Sequence, residues 1–196
     1  MLLKDLLLST EIVDSIGNLE TNITGIAIDS RRVRPGFLFV AVKGTQTDGH
    51  AFVDKAIENG AAALVVCEPV NAPKASAVVR VSDTEKLVGP IATRFYGDPS
   101  HKLRLVGVTG TNGKTTVATV LYQLYRGLGY KVGLVSTVCN YIDDRTVEAT
   151  HTTPDPIELN ALLAEMVEAG CEYAFMECSS HAIHQKRIGG LKFAGG

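Results

Sequence analysis

The first hundred residues carry short apolar runs separated by polar, turn-forming residues. In residues 24–43, two β-rich runs flank a turn at Arg34-Pro35-Gly36, which predicts two strands. The further predicted elements are a helix at residues 50–59, strands at 61–67 and 76–81, and a helix at 83–95 that is broken or kinked near Gly89-Pro90. This alternation indicates a small α/β domain.

The second half of the chain repeats the alternation of strands and helices. A polar segment at residues 96–102 has no periodic pattern, and we place a domain boundary there, giving domains 1–98 and 99–196. The predicted elements are a strand at 103–109, a helix that follows a glycine loop and runs to about Leu128, a strand at 131–137, a helix at 155–170 and a strand at 171–180. We therefore expect the first half of a parallel-sheet domain, whose ligands bind beyond the carboxyl ends of the strands.

The start of the helix at 155–170 carries a specific capping signal. Asp155 is a plausible N-cap, Pro156 occupies the first helical position, and Glu158 completes a capping box. This start of the helix is therefore predicted from local chemistry alone.

Composition and charge narrow the class of protein. The chain of 196 residues contains 19 Lys and Arg and 21 Asp and Glu. It therefore lacks the excess of basic residues that is typical of proteins that bind nucleic acids or membranes. The leucine-rich start is interrupted by Lys4 and Asp5, which predicts a docking helix rather than a signal peptide. The four cysteines form no CxxC pair, and we expect a protein of the reducing cytoplasm.

The segment GVTGTNGKTT (residues 107–116) has the chemistry of a phosphate loop. Glycines let the backbone turn its N–H groups inward, and the following helix directs its positive end at the same point. Lys114 would reach the β- and γ-phosphates, and the Thr115 hydroxyl would ligate Mg²⁺. The residues expected to bind nucleotide are Gly110, Thr111, Asn112, Gly113, Lys114, Thr115 and Thr116. Val108 stands where the standard loop has glycine, and a tight structural turn is the alternative.

Glu177 follows an apolar run at the predicted carboxyl end of a strand. A carboxylate at that edge can hold a second side of Mg²⁺, which prefers hard oxygen ligands. The alternative is a solvated acid at a strand end. We therefore take Lys114 and Glu177 as catalytic candidates, and Thr115 and Glu177 as metal ligands.

The segment TGTNGKTT resembles the ATP loop of the Mur ligases, the ATP-dependent amide-forming enzymes of peptidoglycan synthesis, and related folate polyglutamate synthetases share much of it. Three further segments resemble the Mur ligase that adds the third residue of the stem peptide. These are DSRRVRPGFLFVAVKGTQTDGH (residues 29–50), HTTPD (151–155) and MECSSHAIHQKRI (176–188). The resemblance runs across essentially the whole chain.

The resemblance implies a reaction and a set of ligands. ATP and Mg²⁺ would activate the carboxylate of a UDP-N-acetylmuramoyl-dipeptide as an acyl phosphate, which a diamino acid then attacks. The resemblance does not choose the added amino acid within these residues; meso-diaminopimelate is our first choice because it is the more widespread one in bacteria, and lysine stays open. The resemblance also implies the residues that bind each part of the acceptor. The uridine would contact Ile28 and Ser30, and the nucleotide-sugar site would be lined by Thr45, Gln46, Thr47 and Asp48. The sugar-peptide portion would meet His151, Thr152 and Thr153, and the peptide end would be held by Ser179, Gln185 and Arg187.

Taken alone, several of these residues have simpler interpretations. Ser30 fits a turn, Thr152 and Thr153 fit positions before a helix cap, and Arg187 fits a solvated surface charge. His181 and His184 have no second pair of ligands beside them in sequence, so we do not assign them to a metal.

The pattern of the family continues beyond what residues 1–196 contain. It includes a histidine-containing segment, a carbamylated lysine that helps to bind Mg²⁺, and a third domain that receives the amino acid. We therefore expect an N-terminal fragment that does not complete the reaction, with exposed sheet edges that favour self-association, and a monomer at full length. A sister ligase, a non-catalytic UDP-sugar-binding module and a phosphate-loop kinase or GTPase remain as alternatives.

Overall fold

The computed structural model describes residues 1–44, 47–149 and 152–196. The chain divides into two compact units, Met1–Ile91 and Ala92–Gly196. The domain boundary that we place between residues 98 and 99 stays a prediction.

The first unit is an α/β structure with one sheet. Its elements are α1 (Leu3–Leu6), β1 (Ile12–Gly17), β2 (Gly25–Ala27), β3 (Phe37–Val40), α2 (Val53–Glu58), β4 (Ala63–Val66), β5 (Ala77–Val81) and α3 (Glu85–Phe95), with short 3-10 helices at Ser30–Arg32 and Gly49–Phe52. The helix α3 crosses from the first unit into the second and continues past Pro90, so it is not broken there.

The sheet of the first unit is mostly parallel. Its order is β1-β5-β4-β3-β2, and only β1 runs antiparallel to its neighbour. The central strand β4 is buried along its whole length, as its unbroken apolar run predicts. The edge strand β1 is exposed at all six positions. Because it has no buried face, its sequence shows no alternation of apolar and polar residues from which a strand could be predicted.

The second unit holds the glycine loop. Its elements are α4 (Pro99–Lys102), β6 (Arg104–Val108), α5 (Lys114–Gly127), β7 (Val132–Val135), β8 (Asn140–Ile142), β9 (Arg145–Val147), α6 (Pro156–Glu168), β10 (Tyr173–Glu177) and α7 (Ser180–His184).

The three strands predicted in the second unit are parallel to one another as expected, but its sheet is mixed, because a short antiparallel hairpin that the sequence did not predict extends it. Its order is β6-β10-β7-β8-β9, with β6, β10 and β7 parallel and β8 and β9 antiparallel. The extra hairpin has only three residues per strand and turns at Asp143, which has a φ of 53°. Strands this short carry too little apolar periodicity to be recognised. The predicted α/β class is confirmed.

Apolar side chains cover both faces of this sheet. Val132, Leu134 and Phe175 pack with residues of α5, whereas Val135 and Met176 pack with residues of α6. The alternation of side chains along β7 and β10 places the two helices on opposite faces. Within the described residues, none of the helices combines the length and the apolar character that crossing a bilayer requires.

Candidate functional site

The phosphate loop connects β6 to α5 through two glycines in unusual backbone conformations. Gly110 has a φ of 144° and Gly113 a φ of 82°, a range that favours glycine. Gly113 is the N-cap of α5 and supplies no side-chain cap. The Val117 N–H bonds the Gly113 carbonyl at 2.9 Å, so the N–H groups of Lys114 to Thr116 precede the first intrahelical donor. These donors and the helix dipole make the loop an anion site.

Lys114 lies over the loop that it follows. Its Nζ donates to the Gly110 carbonyl at 2.8 Å. Thr111, Asn112, Gly113 and Thr116 are exposed, and Thr115 is half-buried. A phosphate oxygen that enters the loop can replace the Gly110 carbonyl as the acceptor of Lys114.

Glu177 lies at the end of β10 and is almost completely buried, at 1% exposure. Because β10 lies between β6 and β7, its carboxyl end adjoins the segments that follow both of those strands. The Thr115 hydroxyl donates to Oε2 of Glu177 at 2.8 Å, and the Thr137 backbone N–H donates to Oε1 at 2.8 Å. The solvated acid considered from sequence is therefore wrong for Glu177.

The Thr115–Glu177 pair has the chemistry of a magnesium site. Thr115 gives its hydrogen to the carboxylate and keeps oxygen lone pairs for a cation. No salt bridge reaches Glu177 in the described part of the chain, and a buried carboxylate without a cation is costly. Three or more acidic, histidine or cysteine residues do not converge anywhere among the described residues. Mg²⁺ fits such a site, since it takes one or two carboxylates and completes its shell with phosphates and water.

The predicted substrate loop contacts the backbone of Glu177 and the side chain of Thr137. The buried Thr153 hydroxyl donates to the backbone carbonyl of Glu177 at 2.9 Å. The Thr152 and Thr137 hydroxyl oxygens are 3.1 Å apart. The structure thus brings the phosphate loop and residues 152–153 together around Glu177.

Ser179, Gln185 and Arg187 extend this network. Arg187 donates from Nη1 to the Thr153 carbonyl at 2.8 Å, and from Nε and Nη2 to Oε1 of Gln185 at 3.0 and 2.7 Å. Ser179 caps α7 by accepting from the Ala182 N–H at 3.1 Å. The guanidinium of Arg187 therefore supports the Thr153 loop and is not a solvated surface charge.

The residues predicted to bind the nucleotide-sugar lie in the first unit. Ser30 is buried at the start of the first 3-10 helix, and its carbonyl accepts from the Asn59 side chain at 2.8 Å. Ile28 is half-buried just after β2, and Thr47 is exposed. Thr45, Gln46 and His151 lie outside the described residues.

His50 is a residue that the sequence reasoning missed beside Asp48. Asp48 Oδ1 accepts from the His50 backbone N–H at 2.9 Å and lies 2.6 Å from Nδ1 of the His50 ring. Nε2 accepts from the Cys67 N–H at 3.0 Å, so the hydrogen that faces Asp48 is on Nδ1. These His50 donors, the backbone N–H above all, lower the pKa of Asp48. The Asp-x-His spacing was the available signal.

Thr137 is the second residue that was missed. It follows β7 at the sheet edge where Glu177 lies, and its hydroxyl is 3.3 Å from Oε2 of Glu177. A polar pair, Ser136-Thr137, directly after an apolar strand was the signal that could have identified it.

Comparisons with known proteins match both halves of the chain. A family model described as "Mur ligase family, catalytic domain" matches residues 22–96. A second model, described as "Mur ligase middle domain", matches residues 108–196.

Curated relatives match the chain over its whole length. The UDP-N-acetylmuramoyl-L-alanyl-D-glutamate–2,6-diaminopimelate ligases of Phocaeicola vulgatus and Bacteroides fragilis are 58% and 59% identical to it. The ligase of the same name from Cytophaga hutchinsonii is 52% identical. The chain spans 41% of the length of each of these three relatives.

Solved structures agree with the sequence matches. The structure of a UDP-N-acetylmuramoyl-L-alanyl-D-glutamate–2,6-diaminopimelate ligase matches 98% of this chain and 39% of its own, with a TM-score of 0.80 and 25% identity. The MurF ligase from Thermotoga maritima, in complex with ADP, matches 82% of this chain and 32% of its own, with a TM-score of 0.52 and 27% identity. The chain belongs to the Mur ligase family.

Proposed function

We propose that this chain provides the acceptor-binding and phosphate-binding parts of an ATP-dependent ligase that adds meso-diaminopimelate to UDP-N-acetylmuramoyl-L-Ala-D-Glu. The observation that carries the proposal is the hydrogen-bond network that joins Thr115 of the phosphate loop to Thr152 and Thr153 through Glu177. A site of this kind can place a γ-phosphate next to an acceptor carboxylate. The names of the relatives favour diaminopimelate over lysine.

The chemistry assigned to the loop is transfer of a phosphoryl group to a carboxylate. The loop N–H groups and Lys114 would hold the phosphates of ATP, while Thr115 and Glu177 would hold Mg²⁺. A bound Mg²⁺ would neutralise charge on the transferring phosphoryl group. The residues of this chain would position the reacting groups. Backbone and hydroxyl donors hold the Glu177 carboxylate in place, and Lys114 can exchange the Gly110 carbonyl for a phosphate oxygen as its acceptor.

In the first unit, Ile28 and Ser30 would hold the uridine of the acceptor, and Thr47 and Asp48, together with Thr45 and Gln46, would line its nucleotide-sugar site. The sugar-peptide end would meet His151, Thr152, Thr153 and Ser179, and Gln185 and Arg187 would act on it by supporting the Thr153 loop. The whole protein would work in the cytoplasm as a monomer.

The proposal is tested by calorimetric titration with UDP-N-acetylmuramoyl-L-Ala-D-Glu. We expect saturable binding that Ser30→Ala weakens by about tenfold, the effect of losing one hydrogen bond to a ligand. Ser15→Ala, which removes an exposed hydroxyl from β1, is the matched control and should bind like the parent chain.

Two results would argue against this assignment. Preference for an acceptor that lacks the D-Glu would indicate a sister ligase. Equal binding by the Ser30→Ala and Ser15→Ala variants would remove Ser30 from the uridine site.

A further inference from the structure

Thr137 contacts both oxygens of the Glu177 carboxylate. Its backbone N–H donates to Oε1 at 2.8 Å, and its hydroxyl lies 3.3 Å from Oε2. Apart from Thr137, the side chain that donates to this carboxylate in the described part of the chain is Thr115. Thr137 therefore supplies two of the three hydrogen bonds that orient Glu177.

The turn that carries Thr137 is itself held on both sides. The Ser136 N–H donates to Oδ1 of Asn140 at 3.1 Å, and the Ser136 hydroxyl donates to the Cys139 carbonyl at 2.7 Å. Ser136 and Asn140 are both buried, at 2% and 3% exposure. The backbone of the turn thus has its own support, and the Thr137 hydroxyl is not needed to form it.

The Thr137 hydroxyl lies between two oxygen partners. An ionised carboxylate oxygen can only accept, so Thr137 donates to Oε2 of Glu177. The hydroxyl oxygen of Thr152 lies 3.1 Å from the hydroxyl oxygen of Thr137. The order Thr152 to Thr137 to Glu177 thus connects residues 152–153, the acceptor loop, to the carboxylate.

We propose that Thr137 is a positioning residue whose hydroxyl holds Glu177 in its metal-binding orientation and ties it to Thr152. The proposal rests on the proposed function, because it assigns Glu177 to Mg²⁺. It extends that function, because the acceptor loop would help to hold the metal ligand Glu177 in place through Thr137. A turn with a purely structural role would need the Thr137 backbone N–H and not its hydroxyl.

The test is the Mg²⁺ dependence of ADP binding, measured by calorimetry at a fixed ADP concentration. Thr137→Val keeps the shape and the backbone N–H and removes the hydroxyl, whereas Thr137→Ser keeps the hydroxyl. We expect Thr137→Val to need about five- to tenfold more Mg²⁺ for half-maximal binding, as for the loss of one ordinary hydrogen bond. Thr137→Ser should stay within about twofold of the parent chain, and binding of ADP without Mg²⁺ should be the same in all three proteins.

The link to Thr152 is tested in the same assay. Thr152→Val should raise the Mg²⁺ requirement by about two- to threefold, because Thr137 loses the neighbouring hydroxyl that helps to orient its own. Combined with Thr137→Val, it should add nothing further, since the shared contact is already gone. Independent effects of the two substitutions would overturn the link between the acceptor loop and Glu177.

The remaining outcomes separate the two proposals. An unchanged Mg²⁺ requirement in Thr137→Val, or a failure of Thr137→Ser to restore it, would overturn the positioning role while leaving the proposed function intact. Absence of Mg²⁺-dependent ADP binding in the parent chain would overturn the proposed function and the positioning role with it. If Thr137→Val lowers the thermal midpoint, Thr137→Ala removes the same hydroxyl without introducing a second methyl group and gives the same comparison.

Discussion

The carboxylate of Glu177 shows how burial decides the role of a single residue. Its place at the end of a strand is readable from the apolar run before it, and that place suits both a solvated acid and a metal ligand. At 1% exposure, with donors on both oxygens, it is a charge held in place by hydrogen bonds. Such an arrangement is expensive without a cation, which supports the magnesium proposal.

Cys178 follows Glu177 and provides a pH-dependent prediction at the residue scale. Burial raises the pKa of its thiol from 9.0 to about 11. Since the folded pKa is the higher one, the stability that the buried thiol contributes is present below pH 9 and is lost as the pH rises through about 11. We expect the excess stability of the parent chain over Cys178→Ala to fall by about 1 kcal/mol between about pH 8 and about pH 10. Urea unfolding at each pH measures it.

A second variant controls for the volume of the side chain. Cys178→Ser has a side chain of similar size that does not titrate in this range, so it should show the same pH trend against the parent as Cys178→Ala. Parallel stability curves for the parent and both variants would contradict the prediction.

In helix α6, the local sequence determines where the helix begins, and packing determines where it lies. Asp155 accepts from the N–H groups of Ile157 and Glu158 at 2.8 and 3.0 Å, as the capping signal predicts, and Pro156 begins the helix. The apolar face of α6 then packs on β7, where Gly133 leaves room for Met166: a Cβ there would lie 2.3 Å from the Met166 sulfur. Local chemistry begins the helix, and a close approach to the sheet places it.

Removing the cap gives the prediction at the element scale. Asp155→Ala should lower the free energy of unfolding by about 1 kcal/mol, because two N–H groups at the helix start lose their acceptor. Asp155→Asn keeps a capping oxygen and should lose no more than about half of that. Chemical denaturation of the three proteins measures both changes, and equal losses in the two variants would show that the charge, not the cap, matters.

At the scale of the whole molecule, the proposed binding functions are divided between the two compact units. Uridine recognition is assigned to residues around Ser30 and Asp48 in the first unit. Phosphate and metal binding are assigned to the loop and to Glu177 in the second. Each unit carries its own sheet, and each set of residues lies at or beyond the ends of strands of that sheet.

Hydrogen exchange should resolve this division. We expect UDP to slow exchange at residues 28–32 and 47–50, and Mg·ADP to slow it at residues 110–117 and 137, because bound ligands protect the amides that they order. Lys114→Ala should remove most of the Mg·ADP effect and leave the UDP effect. Its matched control is Lys86→Ala, at an exposed lysine paired with Asp83, which should change neither effect. Protection of the glycine loop by UDP would contradict the division.

The sequence by itself determined the phosphate loop, the strand before it, the helix after it, the α/β class and the family, because each depends on local spacing, turn chemistry or a contiguous motif. The tertiary structure decided which groups contact Glu177. By inserting β10 between β6 and β7, it brings Thr115 and Thr137 onto one carboxylate from segments far apart in the chain. It also decided that Arg187 supports Thr153, and that a short antiparallel hairpin extends the sheet. Strand order and burial are properties of the packed molecule, and no local pattern of apolar and polar residues encodes which strands become neighbours.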